Sequence, residues 1–399
     1  MDALGWLIFL VALIVSVMLH ETGHFATAKR FGMKCTQYFF GFGPTLWSIK
    51  RGETEYGFKA IPAGGFVKIV GMTSLDEVDP DDEPRSFRRA PGWQRLIVLA
   101  AGSFMHFLFA AVLIFGVALF IGSENETGNT TQLGTVWPYV PANETALMNG
   151  TTCPGEAKSP AAVAGLRVGD KVTSFDGVPV SNWTQLQDEI LKVKPSTPVT
   201  LTALRDGRSL TLHTALAEVK GHGSYFGIAP VATTTFERQN PLDAVKDVGS
   251  GFSSVVTGSV SALGQVPAAV PSLFSADRSC SAAGNLGSVV GAAQATGSAV
   301  AAPVGWQAKA SFVLLLIAQL NIFWGVFNLL PLLPLDGGHI ALVIWERIRA
   351  WFARRRHLPD PGLVDYQRVV PAMFSVFAII AVFTLVVIVA DVVNPVNFG

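Results

Sequence analysis

Charge is what this chain has least of. Only 15% of its 399 residues are Asp, Glu, Lys or Arg, against roughly 25% in an ordinary globular protein. The 29 basic and 29 acidic residues cancel, which excludes a broadly basic nucleic-acid binder and an acidic disordered chain. Cysteine is scarce as well. Cys35, Cys153 and Cys280 are too few for a disulfide scaffold, and no CxxC pair suggests a zinc ribbon or a thioredoxin-like site. No internal repeat is visible. What fills the chain instead is apolar: 50% hydrophobic residues and a mean hydropathy of +0.42. This is the composition of a membrane protein with an embedded water-soluble part.

Residues 4–28, 96–121, 310–335 and 369–390 each supply the roughly 20 apolar residues that a membrane-crossing helix needs. The first has no basic leader and no small-residue cleavage site, and it carries a polar motif at its far end, so it reads as a mature helix. Residues 29–95 hold 11 of the 29 Lys and Arg, residues 336–368 hold 6, and the long segment 123–310 holds 12. Short loops obey the positive-inside rule and long domains escape it. The two basic loops are therefore expected in the cytoplasm, with both termini and residues 123–310 outside.

Between the spans the texture changes. Residues 34–71 read as short strands around the turn Arg51-Gly52-Glu53. Residues 74–90 read as a mobile acid-rich loop, residues 243–263 as an amphipathic helix on the membrane surface or against the preceding domain, and residues 281–302 as a Gly/Ala/Ser linker. Residues 161–218 alternate strand-like runs with one helix near 183–191. Cys153 and Cys280 both fall on the outer side, where a bridge between them can persist.

Chemistry enters at Leu19-His20-Glu21-Thr22-Gly23-His24. On a helix His20 and His24 project from one face a turn apart, so two imidazoles can reach one metal ion. Glu21, beside the first of them, can take a proton from metal-bound water, which zinc makes acidic enough to ionise near neutral pH. A catalytic zinc needs a third protein ligand and an open position, and the membrane-depth candidates are His106, Asp336 and His339. Asp336 closes an apolar stretch where an unpaired carboxylate is costly. Pro331 and Pro334 break the helix before it, and Gly337-Gly338 permits a sharp turn after it. Helices one and three both run inward by the charge count, which brings Asp336 to the depth of the histidines and favours it over the alternatives.

The paired motifs HETGH (20–24) and NLLPLLPLDGGH (328–339), with GFGP (41–44) and GGFVKIVGM (64–72) between them, resemble the site-2 protease family. Essentially the whole chain is similar to its bacterial branch, which carries a PDZ domain between helices two and three; Ala164-Gly165-Leu166-Arg167-Val168-Gly169-Asp170 looks like that module. The resemblance implies a polytopic α-helical membrane protein of four transmembrane helices, with a membrane-associated β loop and an inserted extracytoplasmic PDZ-like α/β domain. It implies an intramembrane zinc metalloprotease acting in regulated proteolysis, with His20, His24 and Asp336 as Zn2+ ligands, Glu21 as base and Asn328 as a substrate contact.

The expected substrates are single-span membrane proteins, such as anti-sigma factors or remnant signal peptides; the expected partners are also peptide ends at the PDZ-like module and the lipid bilayer, but no nucleic acid. The expected organisation is helix one with HExxH (1–33), β and polar loop (34–95), helix two (96–122), PDZ-like domain (123–220), amphipathic helix and linker (221–309), helix three with its motif (310–345), basic loop (346–368) and helix four (369–399). The expected location is the cell membrane, with the active site toward the cytoplasm. The rival classes are a catalytically inactive PDZ scaffold and an ion-coupled transporter. One departure stands out: where the family usually has Gly-Pro-x-x-Asn in helix two, this chain has Gly102-Ser103-Phe104-Met105-His106.

Overall fold

Long apolar stretches without a breaker become helix, and the first is α1 (Ala3–Arg30). The computed structural model describes residues 3–73, 76–126, 130–141, 147, 157–231, 234–275, 278 and 287–394. Along α1 the exposed positions are Leu4, Leu7, Leu10 and Val11, while Gly5, Ser16, Gly23 and His24 are buried. Small and polar residues inside, large apolar ones outside, is the pattern of a helix that meets lipid and packs closely on its neighbours. Lys29 and Arg30 fall in the last turn, where cations suit the helix dipole.

A hairpin follows, β1 (Cys35–Arg51) and β2 (Thr54–Ile69), far longer than the short strands expected from sequence. Both strands bend, at Gly41 and Gly43 in β1 and at Gly64 in β2, all with positive φ. Residues 37–40 therefore find partners on both sides, in 65–68 and in 55–58. At the hairpin end Glu53 accepts from Arg85 (2.7 and 2.9 Å) and from Lys29, and the Arg85 guanidinium holds its carboxyl at about 2.

The acid-rich segment after the hairpin is more structured than its composition suggests. Two 3-10 turns, Glu83–Arg85 and Phe87–Arg89, carry the buried Phe87 into a cluster with Met33, Ile69 and Val98. Lys34 pairs with Asp82 and Arg88 with Glu83. Charge of both signs, paired locally, is what lets a polar stretch order here.

Two compact units divide the chain: residues 1–120, 240–263 and 292–388 form one, and 121–239, 264–291 and 389–399 the other. In the first, α2 (Gly92–Gly116, continued by a π turn at Val117–Ile121) approaches α1 so closely that a Cβ on Gly23 would lie 2.4 Å from the Ala101 carbonyl oxygen. In the second, β3 (Ser123–Glu126) and β4 (Leu133–Val136) precede the short helix α3 (Pro160–Ala164). The main sheet has the order β6-β5-β7-β8, built from β5 (Lys171–Phe175), β6 (Val178–Pro179), β7 (Pro198–Arg205) and β8 (Arg208–Ala215).

Asp206 and Gly207, both at positive φ, turn β7 into β8 as two-residue hairpins require. Helix α4 (Trp183–Lys192) starts at Asn182, whose side chain accepts from the Gln185 N–H, and presses Leu186 and Ile190 onto Val172, Phe175 and Leu201. Short strands β9 (Ala217–Val219), β10 (Gly223–Tyr225), β11 (Ile228–Pro230) and β12 (Thr234–Glu237) complete the unit, β11 pairing with β4 and β12 with β3. Cys153 and Cys280 lie outside the described residues, so the expected bridge has no structural account; Cys35 is a buried free thiol.

Helix α5 (Pro241–Ala269) contains the expected amphipathic stretch, but its apolar face has a partner. Phe252, Val255 and Val256 pack on Ala110, Ala318 and Ile322 of the spans rather than lying on a surface. The expected linker also holds a helix, α6 (Val289–Ala301). Its glycines, alanines and serines read as flexible in water, but between apolar helices small residues permit close approach. A Cβ on Gly5 would sit 2.6 Å from the Gly297 Cα.

The third span, α7 (Trp306–Asn328), ends at Asn328 and not at 335, because the Pro331 and Pro334 region cannot continue it. A new helix, α8 (Asp336–Arg355), then runs through much of the expected basic loop, stopping before His357 at φ 54. The last is α9 (Tyr366–Val393). By length and composition α1, α2 with its π turn, α7 and α9 are able to cross a membrane, and the chain is a multi-pass membrane protein.

Candidate metal centre

His20 and His24 sit one turn apart on α1 and turn their Nε2 atoms to within 3.1 Å of each other. From the start of α8, Asp336 brings Oδ2 to 3.4 Å from His20 Nε2 and 3.3 Å from His24 Nε2. Three donors at the corners of such a triangle match one face of a tetrahedron around zinc. Ligands bound at about 2.0–2.1 Å stand about 3.3 Å apart. Asp336 Oδ2 is buried and makes no hydrogen bond, a costly state for a carboxylate that a cation would relieve. The donor set and its spacing therefore fit zinc.

The neighbours set the donors' orientation. His24 Nδ1 donates to the Val98 carbonyl at 2.7 Å, which leaves the Nε2 lone pair for a metal. Gly102 makes room for both rings: a Cβ there would fall 2.4 Å from His24 Nε2 and 2.5 Å from His20 Cε1. Asp336 does not cap its helix, since Leu335 holds the N-cap position without a side-chain bond. Gly337 and Gly338 fold against the preceding turn, where their Cβ atoms would meet Leu329 O at 2.2 Å and Leu333 N at 2.6 Å. Only residues without a Cβ let the carboxylate turn in at this point.

Of the three candidates for a third ligand, Asp336 alone joins the His20–His24 cluster among the described residues. His339 Nδ1 instead meets the Tyr366 hydroxyl at 2.9 Å, and His106 Nδ1 meets Asn321 Oδ1 at 2.8 Å. Sequence reasoning passed over Asn321 and Ser16. Both are almost wholly buried within apolar helices and joined at 3.0 Å; a lone polar residue inside a span was the available signal.

A cavity of about 310 Å³ opens beside the centre. His20, Glu21, Gly65, His106, Trp324 and Asn328 line it. Glu21 stands against β2, where a Cβ on Gly65 would lie 2.9 Å from its Cγ and where the Val67 N–H faces its carboxylate. The arrangement joins a three-donor cluster, an adjacent carboxylate and a strand edge around one space.

Comparison with known proteins points the same way. The model of peptidase family M50 matches residues 8–357. The zinc metalloprotease Rip1 of Mycolicibacterium smegmatis is 35% identical over 100% of this chain and 99% of the relative, and that of Mycobacterium tuberculosis is 35% identical over 98% of each. A putative zinc metalloprotease of Fusobacterium nucleatum is 30% identical over 86% of this chain and 88% of its own. A solved PDZ domain of an SdrC-like protein from Listeria monocytogenes covers 25% of this chain and 88% of its own, at 21% identity and a TM-score of 0.17, a likeness too slight to argue from.

Proposed function

The chain belongs to peptidase family M50, and from that premise we propose that this zinc metalloprotease cleaves peptide bonds within the membrane-spanning segments of single-span membrane proteins. The observation that carries the reading is the triangle of His20, His24 and Asp336 donors, set 3.1–3.4 Å apart against a membrane span and open to a cavity. In this reading these three residues hold zinc. Zinc so held supplies Lewis-acid chemistry that makes water a nucleophile at neutral pH and polarises the scissile carbonyl.

The protein's own groups do the rest. Glu21 takes the proton of the attacking water and returns it to the departing amine, a role its place on the cavity wall beside His20 permits. A helical substrate has its peptide groups engaged in internal hydrogen bonds and must unwind to be cut. Gly65–Ile69 of β2 pair on one side with residues 35–40; in this reading the other edge, where the Val67 N–H already faces Glu21, holds an unwound segment as an added strand through its remaining backbone groups. Asn328, which lines the same cavity, contacts that segment. Zinc and Glu21 then act toward the cytoplasmic face, with both termini and residues 123–310 outside, as the distribution of Lys and Arg supports. The module at 161–218 takes the PDZ role at the outer side. A bare scaffold leaves the donor triangle without a purpose, and so does a transporter.

The test is metal analysis of purified protein together with cleavage of a single-span substrate. About one zinc per chain is expected. Glu21→Gln keeps the metal and lowers cleavage by at least about 10³-fold, whereas Asp336→Asn lowers both. Normal turnover by Glu21→Gln would sink the mechanism.

A further inference from the structure

The cavity lining includes a histidine that the mechanism above does not use. His106 lines the space shared by His20, Glu21 and Asn328, and its ring centroid lies 4.9 Å from that of His20. Its partner fixes how it is protonated. Asn321 Nδ2 donates to the Ile317 carbonyl at 2.8 Å, an atom that only accepts, and to Ser16 Oγ at 3.0 Å. The amide orientation is thereby settled, so Asn321 Oδ1 is the atom that faces His106 Nδ1 at 2.8 Å, and Nδ1 must donate. A neutral imidazole has one N–H. With it engaged on Asn321, Nε2 keeps a lone pair on the part of the ring turned away from Asn321.

We propose that His106 is a substrate-binding residue, its Nε2 accepting a backbone N–H from the extended segment of a membrane-spanning substrate held against β2. This rests on the reading of the cavity as the cleavage site. A strand sends its N–H and C=O groups alternately to opposite sides. A segment paired with the Gly65–Ile69 edge has up to half of these groups satisfied there, the Val67 N–H being already turned to Glu21. The other half point across the cavity, where little water competes and an unpaired peptide group is costly. The cavity lining includes His106, whose Nε2 is left as an acceptor, and the Asn328 amide, a donor or acceptor. The buried chain Ser16–Asn321–His106 links α1, α7 and α2, so the acceptor is held rigidly and costs little ordering on binding.

The two amide side chains separate this role from mere packing. In His106→Asn the side-chain nitrogen reproduces the Nδ1 donor to Asn321, but nothing reaches the place of Nε2. In His106→Gln the longer amide places its oxygen there. Binding of a dye-labelled single-span peptide that the wild type cleaves is measured in the Glu21→Gln background, alongside zinc content. The Asn variant is expected to keep its zinc and bind about tenfold more weakly, the loss of one hydrogen bond of this kind, while the Gln variant stays within about threefold of the parent.

Equal binding by His106→Asn and the parent would make His106 a packing residue and overturn the proposal. Loss of zinc in His106→Asn would make it part of the metal centre, which also overturns it. Failure of the Glu21→Gln parent itself to bind any peptide that the wild type cleaves would strike the reading of the cavity, a different result from a loss confined to position 106.

Discussion

Gly102 shows how much a single missing methyl group can decide. His20 and His24 face one point only because α2 presents bare backbone to their rings. Gly102→Ala places a carbon inside contact distance of both imidazoles, and neither α1 nor α2 can yield, since Gly23 already touches the Ala101 carbonyl oxygen. The expected outcome is a folded protein with zinc affinity reduced at least about tenfold, as for other changes that disturb the orientation of metal ligands. Equilibrium dialysis against a zinc-selective chelator checks it; unchanged affinity would show that the rings can shift. The clustering of His20, His24 and Asp336 was legible in the sequence because HExxH and an aspartate closing an apolar stretch each violate the apolar pattern around them. Gly102 was not legible. A glycine in a span is ordinary, and its use depends on which ring lies opposite. His106 was conspicuous for the same reason as the ligands, but its role turns on Asn321, distant in sequence and invisible until α2 and α7 are packed.

At the scale of elements, the spans and the strand–helix alternation of residues 161–218 follow from periodicity and length. One difference comes from reading composition as though water were the only solvent. Segment 289–301 looked like a linker because small residues are flexible in water, and it is α6. For the stretch 243–263 the sequence left a membrane surface and the preceding domain both open, because its actual partners, Ala110, Ala318 and Ile322, lie on other segments.

The water-soluble sheet offers its own test. Asp170 is 1% exposed and accepts from Arg205 Nε (2.8 Å) and Nη2 (2.7 Å) and from the Arg167 N–H. The Arg205 guanidinium holds its carboxyl below the usual range. A depressed folded value means that the stabilisation is complete above about 4, the unfolded value, and fades as the pH falls through the folded one. Amides of β5 and β7, followed by hydrogen exchange from pH 6 to 3, should lose protection at the acid end, after correction for intrinsic exchange rates. Asp170→Asn should show weakened protection already at pH 6, with a smaller further loss. Identical pH profiles in the two proteins would remove Asp170 from the account.

For the whole molecule, we propose from the charge count that the module at residues 161–218 controls entry rather than chemistry. In this proposal the module excludes substrates with bulky ectodomains by clash. Deleting residues 161–218 is expected to raise cleavage of a full-length single-span substrate and to leave cleavage of its ectodomain-trimmed form in place, as followed by gel assay in proteoliposomes. A parallel fall in both would make the module a docking site or a folding element.

The three clustered donors lie at positions 20, 24 and 336. An ion held by all three would act as a topological cross-link, pinching off a loop of roughly 300 residues that contains the whole outer module. The entropy of closing such a loop grows only with the logarithm of its length, so doubling it costs about 0.6 kcal/mol more. A domain inserted in that loop can be lengthened, shortened or exchanged with almost no effect on how firmly the ring is tied. On the proposed reading, the part that chooses what is cut is thereby free to change in length, while the spacing of the three donors is not.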